Sequence, residues 1–242
     1  MQALLPTLLA LMVSSAAPEA VLDGVFCRQD TLDTQLTFLQ FRSDMRYTES
    51  DLKSGDVKLL ECKRLVSVPR FGEQSHEYEE VCLNGVQLEG KERDKEIKSL
   101  RSKAKYAQRT LMPFFPETRD EYEYRVARRD TWRGMQVWRI EFTPVRRTGR
   151  HITGYARVLD GSFDIVSLEF APSDLPFLVT DASMALNYER TCGHWLPASF
   201  EMDMDLRLAF FIELMRMHVR IDEIYRDYSF TDTTTVRDWG NE

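Results

Sequence analysis

The sequence predicts a mainly-β protein, an antiparallel meander that curls around one helical insert. Three observations carry this. From Leu196 to Leu208, apolar and polar residues alternate: Leu196, Ala198, Phe200, Met202, Met204, Leu206 and Leu208 fall on one parity, Ser199, Glu201, Asp203, Asp205 and Arg207 on the other. A second run follows a turn near Phe210–Glu213, with Met215, Met217, Val219 and Ile221 against Arg216, His218, Arg220 and Asp222. A side-chain period of two marks strands with one wet and one dry face, and two in succession read as a hairpin. Third, the composition changes sharply at Glu89. Glu89–Arg109 is rich in Lys, Arg and Glu, with Ile97, Leu100 and Ala104 at helical spacing.

The elements follow in order. Residues 1–16 read as an export signal. Leu4–Val13 is almost wholly apolar, and Ser14 and Ala16 satisfy the small-x-small rule for cleavage after Ala16. The run is too short to span a bilayer comfortably, and no cysteine follows it to carry a lipid anchor. A single exported domain is expected over 17–230, with no transmembrane helix, followed by a polar tail over 231–242. Pro18–Asp30 is a short helical start. Strands are expected from Leu36 to about Tyr47, over Val57–Val68 and over Ser75–Leu83, with a turn at Phe71–Gln74 and another at Asn84-Gly85.

Leu111-Met112-Pro113-Phe114-Phe115-Pro116 stops the charged helix, because proline cannot continue it. Its apolar members Leu111, Met112, Phe114 and Phe115 are candidates for a lid over the sheet. Further strands are expected from Tyr122, around Trp138, Ile140 and Phe142, over Gly154–Leu159 and Ile165–Phe170, through Met184, Leu186 and Tyr188, and finally over Ile224–Phe230.

The chain has 242 residues and a formal net charge of −7, against the basic excess of a nucleic-acid binder. Four cysteines, Cys27, Cys62, Cys82 and Cys192, have no CxxC spacing, so disulfides rather than metal are expected in an oxidising compartment. A turn centred near Gly72 sets Cys62 opposite Cys82, where directly opposed Cα atoms come to about 4.5 Å, the short end of the disulfide range. Cys27 and Cys192 then remain as the other pair. The histidines His76, His151, His194 and His218 stand in no metal spacing, and no nucleotide-loop or nucleophile-elbow motif occurs. No catalytic residue, cofactor or metal is expected. Asp203 and Asp205 share a strand parity and suit acid–base work only if they do not face solvent. Arg146, Arg147, Arg150 and His151 form a basic loop that fits lipid head groups, an acidic partner or plain solvent.

The pattern Tyr122-x-Tyr124, Trp132-x-Gly134-Met135-x-Val137-Trp138-x-Ile140-x-Phe142-x-Pro144, followed by a turn at Asp160, the strand Ile165–Phe170 and Gly193-x-Trp195-Leu196-Pro197, resembles the outer-membrane lipoprotein-sorting group of the LolA/LolB-like superfamily. The resemblance spans about Leu32–Phe230. It implies an unclosed antiparallel β-barrel, a half-barrel whose helices act as a lid over a concave apolar face. It also implies a periplasmic carrier or chaperone for the acyl chains of lipids or lipoproteins; a monomer is expected. Trp138, Ile140, Phe142, Phe200, Met202, Met204, Met215 and Met217 are the expected lining. Methionines suit ligands without fixed shape, and equally a filled core. A sensor or scaffold binding an envelope protein partner is the alternative. A hydrolase would need a nucleophile–base pair that the sequence does not display.

Overall fold

The computed structural model describes residues 17–69, 74–107, 110–210 and 213–232. The proposed signal at 1–16, the turn residues 70–73 and the tail beyond Asp232 lie outside these. The chain forms helix α1 (Pro18–Gln35), then β1 (Leu36–Asp51), β2 (Val57–Pro69), β3 (Ser75–Leu83) and β4 (Val86–Gln87). Helix α2 (Gly90–Ala107) follows, then β5 (Tyr122–Trp132), β6 (Met135–Pro144), β7 (Ile152–Leu159), β8 (Ile165–Pro172), β9 (Val179–Thr191), β10 (His194–Phe210) and β11 (Glu213–Asp232). All eleven strands belong to one antiparallel sheet in the order β4-β3-β2-β1-β11-β10-β9-β8-β7-β6-β5. The sheet does not close: β4 and β5 are its free edges, and the fold is the expected half-barrel with two helices. Among the described residues no helix is long and apolar enough to cross a membrane.

Tight turns set the meander. Asn84-Gly85, Arg133-Gly134 and Cys192-Gly193 all have positive φ at both positions, the geometry whose twist matches that of flanking strands. Glycine takes such a φ freely, and Asn84 repays its own by accepting the Leu59 amide on Oδ1 at 2.8 Å.

The concave face is covered in two halves. Over β5–β9, Val21 and Val25 of α1 are fully buried with Phe114, Ile140, Phe142, Ala156, Val158 and Leu168. Gly24 lets this helix approach closely, since a Cβ there would lie 2.6 Å from the Phe163 ring. Arg28 Nε bonds Asp164 Oδ1 at 2.5 Å, and Arg119 pairs with Asp30. Over β1–β3 and β10–β11, Ile97 and Leu100 of α2 pack with Met45, Tyr47, Leu60, Cys62, Val81 and Val219. Lys58 Nζ reaches Glu96 at 3.2 Å, and Arg93 donates to the Tyr78 carbonyl at 2.7 Å.

The Cys62–Cys82 pairing is overturned. Beside the turn Ser67 stands opposite Ser75, so the hairpin is centred one residue before Gly72, and after a bulge at Glu79 Cys82 stands opposite Glu61 and Cys62 opposite Val81. One residue of offset sends the two thiols to opposite faces. All four cysteines are free: Cys62 buried, Cys82 half-buried, Cys27 and Cys192 exposed, so the Cys27–Cys192 bond is not formed either. Burial pushes the Cys62 thiol up to about 12. Thiol titration of the folded protein should therefore label Cys27 and Cys192 readily and Cys82 more slowly, and reach Cys62 only on unfolding. Peptide mapping that found Cys62 labelled first would contradict this register.

Candidate functional site

Antiparallel register carries side chains of one face across the sheet in rows. One row runs Val81, Cys62, Met45, Glu223, Phe200, Leu186, Leu168, Ala156, Ile140 and Val126, from β3 to β5. It is apolar except for Glu223. The neighbouring row brings Arg64, Ser43 and Tyr225 together. Each of β1, β2 and β11 breaks its dry parity with a polar residue, and the three meet. Arg64 Nη2 lies 2.5 Å from Glu223 Oε1 and its Nε 3.2 Å from Ser43 Oγ, while the Ser43 hydroxyl donates to Glu223. The ion-pair side chains are only 10% and 6% exposed.

Burial works against the Arg64 charge, but the adjacent carboxylate more than offsets it and holds the guanidinium protonated. Tyr225 is pushed well up, by burial first and then by Glu223. His76 is pushed down to about 4, by burial first and then by Arg64, with a smaller push from Arg101; Glu223 acts the other way. Neither ring nitrogen of His76 has a hydrogen-bond partner.

These groups form one end of a cavity of about 390 Å³, within the usual range for small-ligand sites. It lies between the two covered halves. Met45, Met184, Leu186, Phe200 and Ile221 supply its apolar wall, Leu100 of α2 and Met112 of the following segment its roof, and Arg64, Glu223, Tyr225, Gln74 and His76 its polar end. The cavity is apolar over most of its wall and hydrogen-bonding at one end, which suits a molecule of the same two-part character. Among the described residues no group of three or more His, Cys, Asp or Glu could hold a metal ion.

The residues singled out from sequence separate into three groups. Phe200 and Met112 line the cavity. Trp138, Ile140 and Phe142 face the concave side as filled core beneath α1, so as pocket wall they are corrected: the helix and Phe114 occupy that space. Met202 and Met204 pack on the core beneath α2. Met217 pairs with Leu206 on the same face, half-buried and away from the cavity wall; the side chain of Met215 lies outside the described residues. Of the segment after α2, Phe114 is buried and donates its amide to Tyr124 Oη at 3.1 Å. Leu111 bridges to His151, and Phe115 points outward at 45% exposure. Asp203 and Asp205 lie on the convex face, where His218 bonds Asp205 at 2.9 Å and reaches Asp203 at 3.3 Å. His151 bonds Glu121 at 2.8 Å and Thr148 at 2.7 Å, a loop tie rather than part of a basic patch.

Sequence reasoning missed Ser43, Arg64, His76 and Glu223. The signal for three of them was present. Glu223 continues the parity of Met217, Val219 and Ile221; Arg64 sits between Cys62 and Val66; Ser43 sits between Phe41 and Met45.

The fold and this cavity define a class: an open half-barrel whose helix-covered concave face holds a two-part pocket. Residues 90–225 match the profile of the family of unknown function DUF5686, and the chain belongs to that family. No curated protein matches the sequence significantly. Among solved structures, a LolA superfamily protein from Nitrosomonas europaea is similar over 90% of this chain and 95% of its own, at 11% identity and a TM-score of 0.38. A domain described as an outer membrane lipoprotein-sorting protein, from Vibrio parahaemolyticus, is similar over 93% and 94%, at 10% identity and 0.39. A DUF1329 family protein from Desulfovibrio piger is similar over 93% and 94%, at 15% identity and 0.40.

Two predictions follow from the geometry. Glu223→Leu leaves Arg64 buried without its partner and should cost about 3–5 kcal/mol in urea unfolding; Arg64→Leu combined with Glu223→Leu should recover most of that. The unfolded His76 takes up a proton near 6.5, whereas the folded one does so near 4. Its contribution to stability is therefore full above 6.5 and declines as the pH falls from 6.5 toward 4. His76→Phe should flatten that part of the stability profile. An identical slope in wild type and variant would show that His76 is solvated.

Proposed function

We propose that this protein binds acyl chains of a lipid or lipoprotein in the cell envelope, acting as a carrier or chaperone, with the chain in the concave cavity and its polar head at the Arg64–Glu223–His76 end. One observation supports this above others. The concave face is sealed by α1 on one side and α2 on the other, and the remaining gap is lined by Met, Leu, Ile and Phe with a hydrogen-bonding end. Unbranched methionines adapt to a flexible chain, and a roof made by a helix and a proline-bounded segment can move without disturbing the strands. The reading is of a binding protein working outside the cytoplasm, consistent with the export signal expected from sequence.

Met184→Trp fills the apolar end. It should weaken binding of a fluorescent fatty acyl probe by on the order of tenfold, since each methylene kept from the cavity forfeits about 0.8 kcal/mol. The urea midpoint should change little. Unchanged probe affinity in the folded variant would place the ligand elsewhere. Native mass spectrometry of protein purified from an envelope fraction should show lipid-mass adducts. A co-purifying protein without lipid would favour the scaffold alternative instead.

A further inference from the structure

The strand ends are unlike one another. At one end of the sheet lie the β1–β2, β3–β4, β6–β7 and β8–β9 connections. This rim carries Leu52 and Val57, then Val86, then Val145, then Leu175, Phe177 and Leu178, all exposed. The opposite turns, at Arg133-Gly134, Gly161 and Cys192-Gly193, carry no exposed large apolar residue among those described. Phe177 is the extreme case at 99% exposure. A phenyl ring held wholly in water at a loop tip has no role in the fold, and large apolar residues gathered on one surface mark an interaction site.

The β6–β7 and β8–β9 connections touch. Ser173 donates its amide to the His151 carbonyl at 2.8 Å and its hydroxyl to the Thr148 carbonyl at 3.2 Å. The first loop therefore holds Arg146, Arg147 and Arg150, all exposed, beside the Leu175-Pro176-Phe177-Leu178 tip of the second. Over residues 145–150 and 173–178 there are three arginines against one acid, Asp174, giving +2 on a chain whose formal charge is −7. The tip is shaped by local bonds rather than left loose: Val179 donates to the Pro176 carbonyl at 2.8 Å, and Arg207 of β10 donates to Leu178 at 2.8 Å.

We propose that the joined β6–β7 and β8–β9 loops of this rim are a membrane-docking edge, with Phe177 and its leucine neighbours entering the interfacial layer of an anionic bilayer and Arg146, Arg147 and Arg150 meeting the phosphates. The charge favours this occupant. An aromatic and aliphatic tip flanked by arginines matches the layering of an anionic membrane surface, apolar inside and phosphate outside. Arginine stems can lie along apolar surface while their heads stay at the phosphate level. The inference stands apart from the cavity reading, because the rim and the cavity share no residue.

The test uses the whole protein with vesicles of phosphatidylglycerol and phosphatidylcholine, read by flotation. Wild type should float with the anionic vesicles, bind phosphatidylcholine-only vesicles far less, and lose binding with added salt. Phe177→Ser with Leu178→Ser should weaken binding at least about tenfold. Arg146→Gln, Arg147→Gln and Arg150→Gln together should do the same and flatten the salt dependence. These positions are exposed, so the variants keep the fold, and their acyl-probe affinity should equal wild type. Phe177→Trp adds a depth readout: its emission should be quenched by brominated lipid more than the wild-type tryptophans are. Absence of binding to anionic vesicles overturns the proposal. So does binding that survives both sets of substitutions, and a rim that instead captures a protein while ignoring vesicles.

Discussion

The pairing of β1 with β11 is the constraint on which the rest depends. It joins Leu36–Asp51 to Met217–Asp232 across the middle of the sheet. On one side lie β1–β4 with α2, on the other β5–β11 with α1. Without this seam the chain would form two separate meanders, with two further edges open to foreign strands. The polar end of the cavity exists only because of it: Ser43 and Glu223 are 180 positions apart, and Arg64 and Glu223 are 159 apart. Closing loops of that length carries an entropy cost that the local hairpins do not.

The buried Arg64–Glu223 pair is a costly way to hold strands together, since its desolvation opposes its attraction. Its effect on register is sharper. A one-residue slip of β11 would swing Glu223 to the wet face and carry Asp222 and Ile224 inward, stranding Arg64 without a partner. Flanking strands add a second constraint. The convex face pairs Arg46 with Glu61 at 2.9 Å, Lys63 with Glu80 at 2.7 Å and Arg220 with Asp222 at 2.7 Å. Each such pair contributes little in water. A slip would nevertheless break the cross-strand pairs Arg46–Glu61 and Lys63–Glu80 together.

Much of this architecture was legible in the sequence, because period-two alternation is a direct image of a sheet with one wet face. The long β10–β11 hairpin, the charged helix and its proline-bounded end, and the turn at Asn84-Gly85 all follow from local rules. What was not legible has physical reasons. The β2–β3 register next to the turn, with Ser67 opposite Ser75, and the bulge at Glu79 carry no compositional mark, and together they put Cys62 opposite Val81 instead of Cys82. Apolar parity shows that Trp138, Ile140 and Met202 face inward, but not which of them a helix will cover, since that depends on where α1 and α2 land. Glu223, Arg64 and Ser43 each break a local pattern. Breaks of this kind are where function or strain is expected, and they gain meaning only when the register brings them together.

The two helices explain why the concave face keeps a gap at all. α1 reaches β5–β9 through Val21 and Val25, and α2 reaches β1–β3 through Ile97 and Leu100. Each is anchored by its own ion pairs, Arg28–Asp164 for the first and Lys58–Glu96 for the second. The α2 cluster also crosses the seam, onto Val219 of β11 and Met202 and Met204 of β10. The strip between them falls over β8 to β10, where Phe170, Met184, Leu186 and Phe200 line the cavity under Leu100, Thr110 and Met112. A sheet this wide has more apolar surface on its inner face than two eighteen-residue helices can cover. The strip adjoins the strands that carry the polar break, β11, β1 and β2, so the pocket acquires its two-part character from topology rather than from any motif. Glu223, Arg64 and His76 thus stand at the wall of a space that another molecule can enter.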